Sequence, residues 1–240
     1  MAETELHPVT YTAEPGIDIE VVKASTKFQV WLNSLDRTRF DLRGVHFQSI
    51  DFFHDGKVVG FIKFKTVILD EKGEQIKPGI VFMRGGSVAI LTILKCKGKR
   101  YSVMTLQPRV PTGCFAFCEI PAGTLDDSGD FGGVAAKEVE EELGLKIAAS
   151  DLIDLTEEIG WERGYFVSPG GCDETIRIFL YEKEVTEEEL AAMNGKATGV
   201  IEEGEQITLK IVPFDDTLLQ YPDSKTVIAY TLYNKLRAAA

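Results

Sequence analysis

Across 240 residues, 38 acidic side chains against 26 basic ones leave a formal charge of -12 and a pI near 4.8. That balance excludes nucleic acid and anionic membrane as main partners, because no basic face is available in bulk. The 44% hydrophobic content is that of a globular chain able to bury a substantial core, and four cysteines without CxxC spacing (Cys96, Cys114, Cys118, Cys172) point to reduced thiols rather than a zinc site or disulfide scaffold.

The N-terminus, MAETELHPVTYTAEPG, has no apolar h-region and is acidic where a transit peptide is acid-poor, and no run reaches the length of a membrane span. The expected location is cytoplasmic, or plastid if a transit peptide has been removed. Residues 1 to 27 read as an extended lead-in with Pro8, Pro15 and Gly16. KFQVWLNSLDRTRF follows, with Phe28, Trp31, Leu32 and Leu35 near helical spacing. From there to residue 110 the texture is β. Ile62, Phe64 and Ile68 alternate with Lys63, Lys65 and Val67, and DGK and EKGE supply turns. GIVFMRGGSVAILTIL and YSVMTLQ, joined by CKGKR, read as a hairpin. A boundary between residues 72 and 80 divides the chain into an N-terminal β-rich segment, 1–78, and a main domain, 79–240.

The stretch Gly123–Leu145, GTLDDSGDFGGVAAKEVEEELGL, carries the most information. A helix there puts Glu138 and Glu142 one turn apart with Glu141 at the edge of the same face. Three crowded carboxylates either form a solvated acidic face or bind a hard divalent cation, for which Mg²⁺ fits best because substrate phosphates complete its oxygen shell. Downstream, DETIRIFLYEKE reads as a strand. TEEELAAMNG reads as a short helix with a Thr186/Glu189 capping box and Gly195 after its end. Gln206 to Pro213 reads as another strand. The C-terminal SKTVIAYTLYNKLRAA reads as an amphipathic helix capped by Ser224, with Val227, Ile228, Thr231 and Leu232, then Leu236, on its apolar face. The sum is a mixed domain whose acidic helix lies between strands, after the loop CEIPAGTLDDSGD.

This spacing resembles the Nudix box: G, five residues, E, seven residues, then REUXEEXGU with U apolar. Gly123 opens it and KEVEEELGL closes it, with Glu138, Val139, Glu141, Glu142, Gly144 and Leu145 in register. Gly129 stands in place of the first glutamate, leaving Asp127 or Asp130 as stand-ins. Lys137 stands in place of the arginine, whose planar fork it cannot reproduce. QPRVPTGCFAFCEIPAGTLD, SPGGCDE and EEGEQI are similar to elements of the ADP-sugar and ADP-ribose pyrophosphatase branch, most closely its plant-type ADP-sugar diphosphatases.

The resemblance implies an α+β fold, a Nudix α/β/α sandwich with a mixed sheet, preceded by a small β-rich domain used in homodimerisation. It assigns Mg²⁺, with Mn²⁺ as an alternative, to Glu138, Glu142 and the Ala122 carbonyl, with Glu141 supporting metal and catalysis. Pro121 and Gly123 set the turn that exposes Ala122. Arg109 is expected to pair with the diphosphate, or else to form a structural ion pair with Glu119. Glu119 is read as a supporting or substrate-side group. Ser168, Pro169, Gly170 and Gly171 form a loop suited to a sugar, or simply a turn before a strand. Glu205, with Glu203 and Glu202 behind it, is the expected general base, and the same run also reads as a solvated turn. Trp161, Tyr165 and Phe166 either stack on adenine or belong to the core.

The expected activity is hydrolysis of ADP-glucose or ADP-ribose to AMP and a sugar phosphate. The alternatives are a UDP-sugar or broader nucleoside-diphosphate-sugar pyrophosphatase, and a non-catalytic nucleotide sensor, which Gly129 and Lys137 motivate.

Overall fold

The structure is a computed structural model that describes residues 7–53, 56, 58–125, 130–199 and 206–237. The chain forms two compact units: Met1–Gly86 with Phe166–Glu174, and Ser87–Tyr165 with Thr175–Ala240.

The first unit contains β1 (Thr10–Ala13), α1 (Ile19–Ala24), α2 (Thr26–Ser34), β2 (Asp41–Phe53), β3 (Val58–Leu69) and β4 (Ile80–Met83). Its sheet runs β1-β2-β3-β4, with β1 parallel to β2 and the other pairs antiparallel. The lead-in is therefore not featureless. Thr10–Ala13 joins the sheet edge, and Asp18 starts α1 by accepting hydrogen bonds from the Glu20 and Val21 amides. Alternation in β3 turns Ile62, Phe64 and Ile68 toward Val22 of α1 and Phe28 of α2 in one buried cluster, while Lys63, Lys65 and Val67 face away. Phe28 meets Phe47 and Phe64 edge-on, with ring centroids 5.3 and 5.8 Å apart.

The run GIVFMRGGSVAILTIL does not stay in one sheet. Its first part is β4, and its second is β5 (Gly86–Cys96), the central strand of a nine-stranded sheet. The break falls at Arg84 and Gly85, whose amides both donate to Asp173 Oδ1 at 2.7 and 3.3 Å.

The second unit continues with β6 (Lys99–Arg109), β7 (Cys114–Glu119), β8 (Ala122–Thr124), α3 (Phe131–Glu138), β9 (Ile153–Asp154), α4 (Leu155–Glu158), β10 (Tyr165–Phe166), β11 (Thr175–Glu184), α5 (Glu187–Met193), β12 (Ala197–Thr198), β13 (Ile207–Pro213) and α6 (Ser224–Arg237). The main path is β10-β11-β5-β6-β13-β12, with β7 on β6, β8 on β5 and β9 on β11. The β5–β6 hairpin closes through Lys97 (φ 48) and Gly98 (φ 73), two left-handed residues as a tight hairpin turn requires.

Strand β5 is buried on both faces, and its alternation builds the layers. Val88 and Ile90 join Val134, Ala135 and Val139 on the α3 side. Ala89, Leu91 and Ile93 join Leu155 of α4 and Ala229 and Leu232 of α6 on the other. The result is helix, sheet, helix, the α+β sandwich that the sequence resemblance implies.

Two details of the C-terminal helix differ from the sequence reading. Its cap is Asp223, not Ser224: the Asp223 carboxylate accepts from the Lys225 and Thr226 amides at 3.4 and 3.0 Å, and its carbonyl accepts from the Val227 amide. The buried face is Thr226, Ala229, Leu232 and Tyr233, whereas Val227 and Thr231 are exposed. The helix is turned because the Thr226 hydroxyl donates to Asp223 Oδ2 (2.7 Å) and accepts from the Ile120 amide (3.3 Å), so a polar residue faces inward with its bonds made.

Truncation on the fully buried central strand should be costly where truncation of an exposed aromatic is not. Leu91→Ala is expected to lower the unfolding free energy measured by urea denaturation by about 2–5 kcal/mol. Phe115→Ala, at a side chain 78% exposed, should stay within about 0.5 kcal/mol of the parent.

Candidate active site

Helix α3 begins at Asp130, whose side chain accepts from the Gly133 amide at 2.9 Å. Asp130 is thus the helix cap, while Asp127 and Gly129 lie outside the described residues. The following residues depart from the regular α-helix expected for 138–143: Val139–Leu143 form a wider π-helical turn, closed by Gly144 at φ 70. Wide turns of this kind recur at functional sites, and nothing in VEEEL announces one. Val139, Leu143 and Glu142 are buried, while Glu140 points outward and pairs with Lys146.

The acidic turn packs on β8. Strand β8 lies antiparallel to β5, with Val88 opposite Gly123 and Ala89 opposite Ala122. A Cβ at Gly123 would fall on the Glu138 carboxylate, so the strand and the helix meet in the space that only glycine leaves open. Beside it, the Ala122 amide donates to Glu142 Oε2 at 3.3 Å. Glu141 pairs with Lys137, one turn earlier, at 3.2 Å. Glu138, Glu142 and the Ala122 backbone therefore share one small space, and Lys137 spends its charge on Glu141.

This donor set suits a hard cation. Mg²⁺ is commonly held by one or two carboxylates with water and substrate oxygens completing its shell. Among the described residues no three His, Cys, Asp or Glu side chains converge on one point. On the α6 side of the sheet, burial pushes the Cys118 thiol up to about 11.

Arg109, at the end of β6, donates from Nε to Glu119 Oε1 at 2.6 Å. The ion-pair alternative for these two residues is therefore realised. The pair runs through Nε, however, and the arginine side chain is 38% exposed while Glu119 is 2% exposed. The other Glu119 oxygen accepts from Lys225 Nζ at 2.6 Å, and Lys225 also donates to Asp223 Oδ1 at 2.8 Å. Burial alone would lower the Lys225 ammonium, but Glu119 and then Asp223 outweigh it and hold the amine above its ordinary pKa. Arg109, Glu119, Lys225 and Asp223 thus alternate in sign along a chain that leads inward from Arg109. Sequence reasoning overlooked Lys225 and Asp223. Their only local signal is an Asp two residues before a Lys at a helix start.

Other expected site residues are distributed differently. Glu202, Glu203 and Glu205 lie outside the described residues. Ser168, Pro169, Gly170 and Gly171 belong to the first unit, where the Ser168 carbonyl accepts from the Gly171 and Cys172 amides and the Phe82 amide donates to the Gly171 carbonyl at 2.8 Å. Tyr165 packs against the α6-side core, and Trp161 is 41% exposed. A groove of about 520 Å³ runs beside the β6–β7 hairpin, lined by Leu106, Pro108, Phe115, Ala116, Thr198 and Gln206. At the start of α3, Arg177 lies over the Phe131 ring at 4.6 Å and pairs with Asp154 at 2.6 Å, tying the beginning of the acidic helix to β11 and α4.

The comparisons with known proteins bear on this geometry. The NUDIX domain model matches residues 83–231, a span that runs from the end of β4 into α6 and takes in every element around Gly123 and Glu138. Over 239 residues the chain is 41% identical to Nudix hydrolase 14, chloroplastic, of Arabidopsis thaliana, an alignment covering 94% of this chain and 76% of that protein. Nudix enzymes act on nucleotide substrates and generally use divalent metals such as Mg²⁺. Since the match extends well beyond the acidic helix in both directions, the altered Gly129 and Lys137 positions do not remove the chain from the group: it belongs to the Nudix family and is a Nudix hydrolase.

Proposed function

We propose that the chain hydrolyses the diphosphate of ADP-sugars such as ADP-glucose or ADP-ribose, giving AMP and a sugar phosphate, with Mg²⁺ as cofactor and Mn²⁺ as a substitute. The observation that carries this reading is the seating of the Glu138 carboxylate in the space left by Gly123, next to Glu142 and the Ala122 backbone. Bound by Glu138, Glu142 and the Ala122 carbonyl, Mg²⁺ supplies charge neutralisation on the diphosphate and a more reactive water. Glu141 supports that site from the same turn.

The remaining work falls to side chains. Arg109 provides the cationic fork that a protein of net charge -12 otherwise lacks in bulk. Glu119 fixes the plane of that fork from behind. The groove beside the β6–β7 hairpin is of a size that suits part of a nucleotide. Glu205 removes the proton from the attacking water, with Glu203 and Glu202 as neighbours, and Ser168 to Gly171 contact the sugar. The enzyme works as a homodimer through its first unit, where Val67, Ile80 and Phe82 are exposed on the sheet face turned away from α1 and α2. The chloroplastic relative supports a plastid location over a cytoplasmic one.

A panel of ADP-glucose, ADP-ribose and UDP-glucose with Mg²⁺ or Mn²⁺, read by nucleotide chromatography, tests the substrate class. AMP should appear fastest from an ADP-sugar. UDP-glucose turnover above both ADP-sugars would instead select the UDP-sugar reading, and silence across the panel would select the sensor. Glu205→Gln should lower kcat by about 10²-fold or more, and a kcat within a few-fold of the parent assigns the base elsewhere. Gly123→Ala should weaken Mn²⁺ binding, measured by electron paramagnetic resonance, by about 10-fold or more, because the added methyl displaces Glu138.

A further inference from the structure

We propose that Lys225 is a positioning residue for substrate binding: by neutralising the inner oxygen of Glu119, it leaves the terminal nitrogens of Arg109 for the diphosphate. The inference rests on the reading of Arg109 given above. Glu119 is 2% exposed and holds two cations, Arg109 Nε on Oε1 and Lys225 Nζ on Oε2, each at 2.6 Å. A buried carboxylate needs this much compensation, since an unmatched charge out of water is costly. Arg109 meets its share through a single nitrogen. If Lys225 were neutral, Glu119 would have Arg109 alone to answer both oxygens, and the planar guanidinium would swing to a two-point pairing that uses a terminal nitrogen. That movement withdraws the fork from the ligand.

Lys225 is itself well placed for this task. Asp223 holds Nζ at 2.8 Å, and Asp223 in turn caps α6 and receives the Thr226 hydroxyl, so the ammonium is fixed from the helix start. Thr226 reaches the Ile120 amide, next to the Pro121–Ala122 turn. The same helix terminus therefore steadies both the cation that restrains Glu119 and the backbone that leads to the acidic turn.

The test is a double-mutant cycle on the full chain. Binding of α,β-methylene-ADP with Mg²⁺, a diphosphate that resists cleavage, is measured by calorimetry for the parent, Arg109→Gln, Lys225→Met and the double variant, with thermal melting run in parallel. Lys225→Met should weaken binding about tenfold, and the double variant should bind no more weakly than Arg109→Gln alone, because both changes remove the same contact. In ADP-sugar hydrolysis, Lys225→Met should raise KM more than it lowers kcat. Lys225→Arg, which keeps the cation, should bind within threefold of the parent and covers the case in which Lys225→Met does not fold. Parent-like binding by Lys225→Met, multiplicative losses in the double variant, or failure of Lys225→Arg to retain binding despite an unchanged melting temperature each overturn the proposal. If the parent binds the probe and Arg109→Gln binds it equally well, the role of Arg109 fails and takes this inference with it. Loss in Arg109→Gln with no effect of Lys225→Met sinks only the inference about Lys225.

Discussion

The constraint on which the site depends is a steric one, the absence of a side chain at Gly123. Strand β8 runs against β5 and approaches the acidic helix so closely that the Glu138 carboxylate occupies the place of a β-carbon. Everything about the local geometry follows from that contact. The Ala122 amide can reach Glu142 because the strand is near, and Val139 and Leu143 can fill the space beneath because the helix is pressed down on the sheet. Like charges crowded on one turn are unfavourable by themselves. The fold holds them there by packing: Val139 and Leu143 are buried with Val134 and Ala135 in one cluster against β5.

A second theme is how an acidic protein arranges positive charge. Beside the exposed lysines that pair with the acidic turn, Lys137 and Lys146, it holds two cations in a more buried network. They are strung between carboxylates, from Asp223 to Lys225 to Glu119 to Arg109, so that each buried charge has an opposite neighbour. Such networks are neutral inside and differ in exposure only at their outer end, where Arg109 stands. Arg177 repeats the principle at the start of α3, with Asp154, Glu157 and the face of Phe131 around one guanidinium.

Much of this was legible in the chain. Hydrophobic alternation gave the β3 strand, DETIRIFLYEKE contains β11 as read, the CKGKR hairpin followed from its turn residues, and the capping box of α5 formed as its spacing requires. Gly123 and the glutamate spacing of the box located the acidic turn. What sequence concealed was three-dimensional. The π-helical turn has no compositional mark, the C-terminal helix rotated because Thr226 found inward hydrogen bonds, and Lys225 meets Glu119 only after more than a hundred intervening residues have folded. Apolar runs are equally ambiguous about which sheet they enter, and the division between β4 and β5 depended on Asp173, distant in sequence, gathering the Arg84 and Gly85 amides.

That gathering has a consequence for how the gene can be divided. The segment Phe166–Glu174 lies between β-strands of the second unit in sequence yet clusters with the first, and it meets β4 through the Phe82 amide and the Gly171 carbonyl. The amino-terminal unit is thus not a cassette that recombination can remove or exchange at one point in the chain. During synthesis, its last piece emerges from the ribosome only after most of the second unit's sheet has been translated. A chain shortened to begin at β5 would keep this tongue without the β4 strand it bonds to.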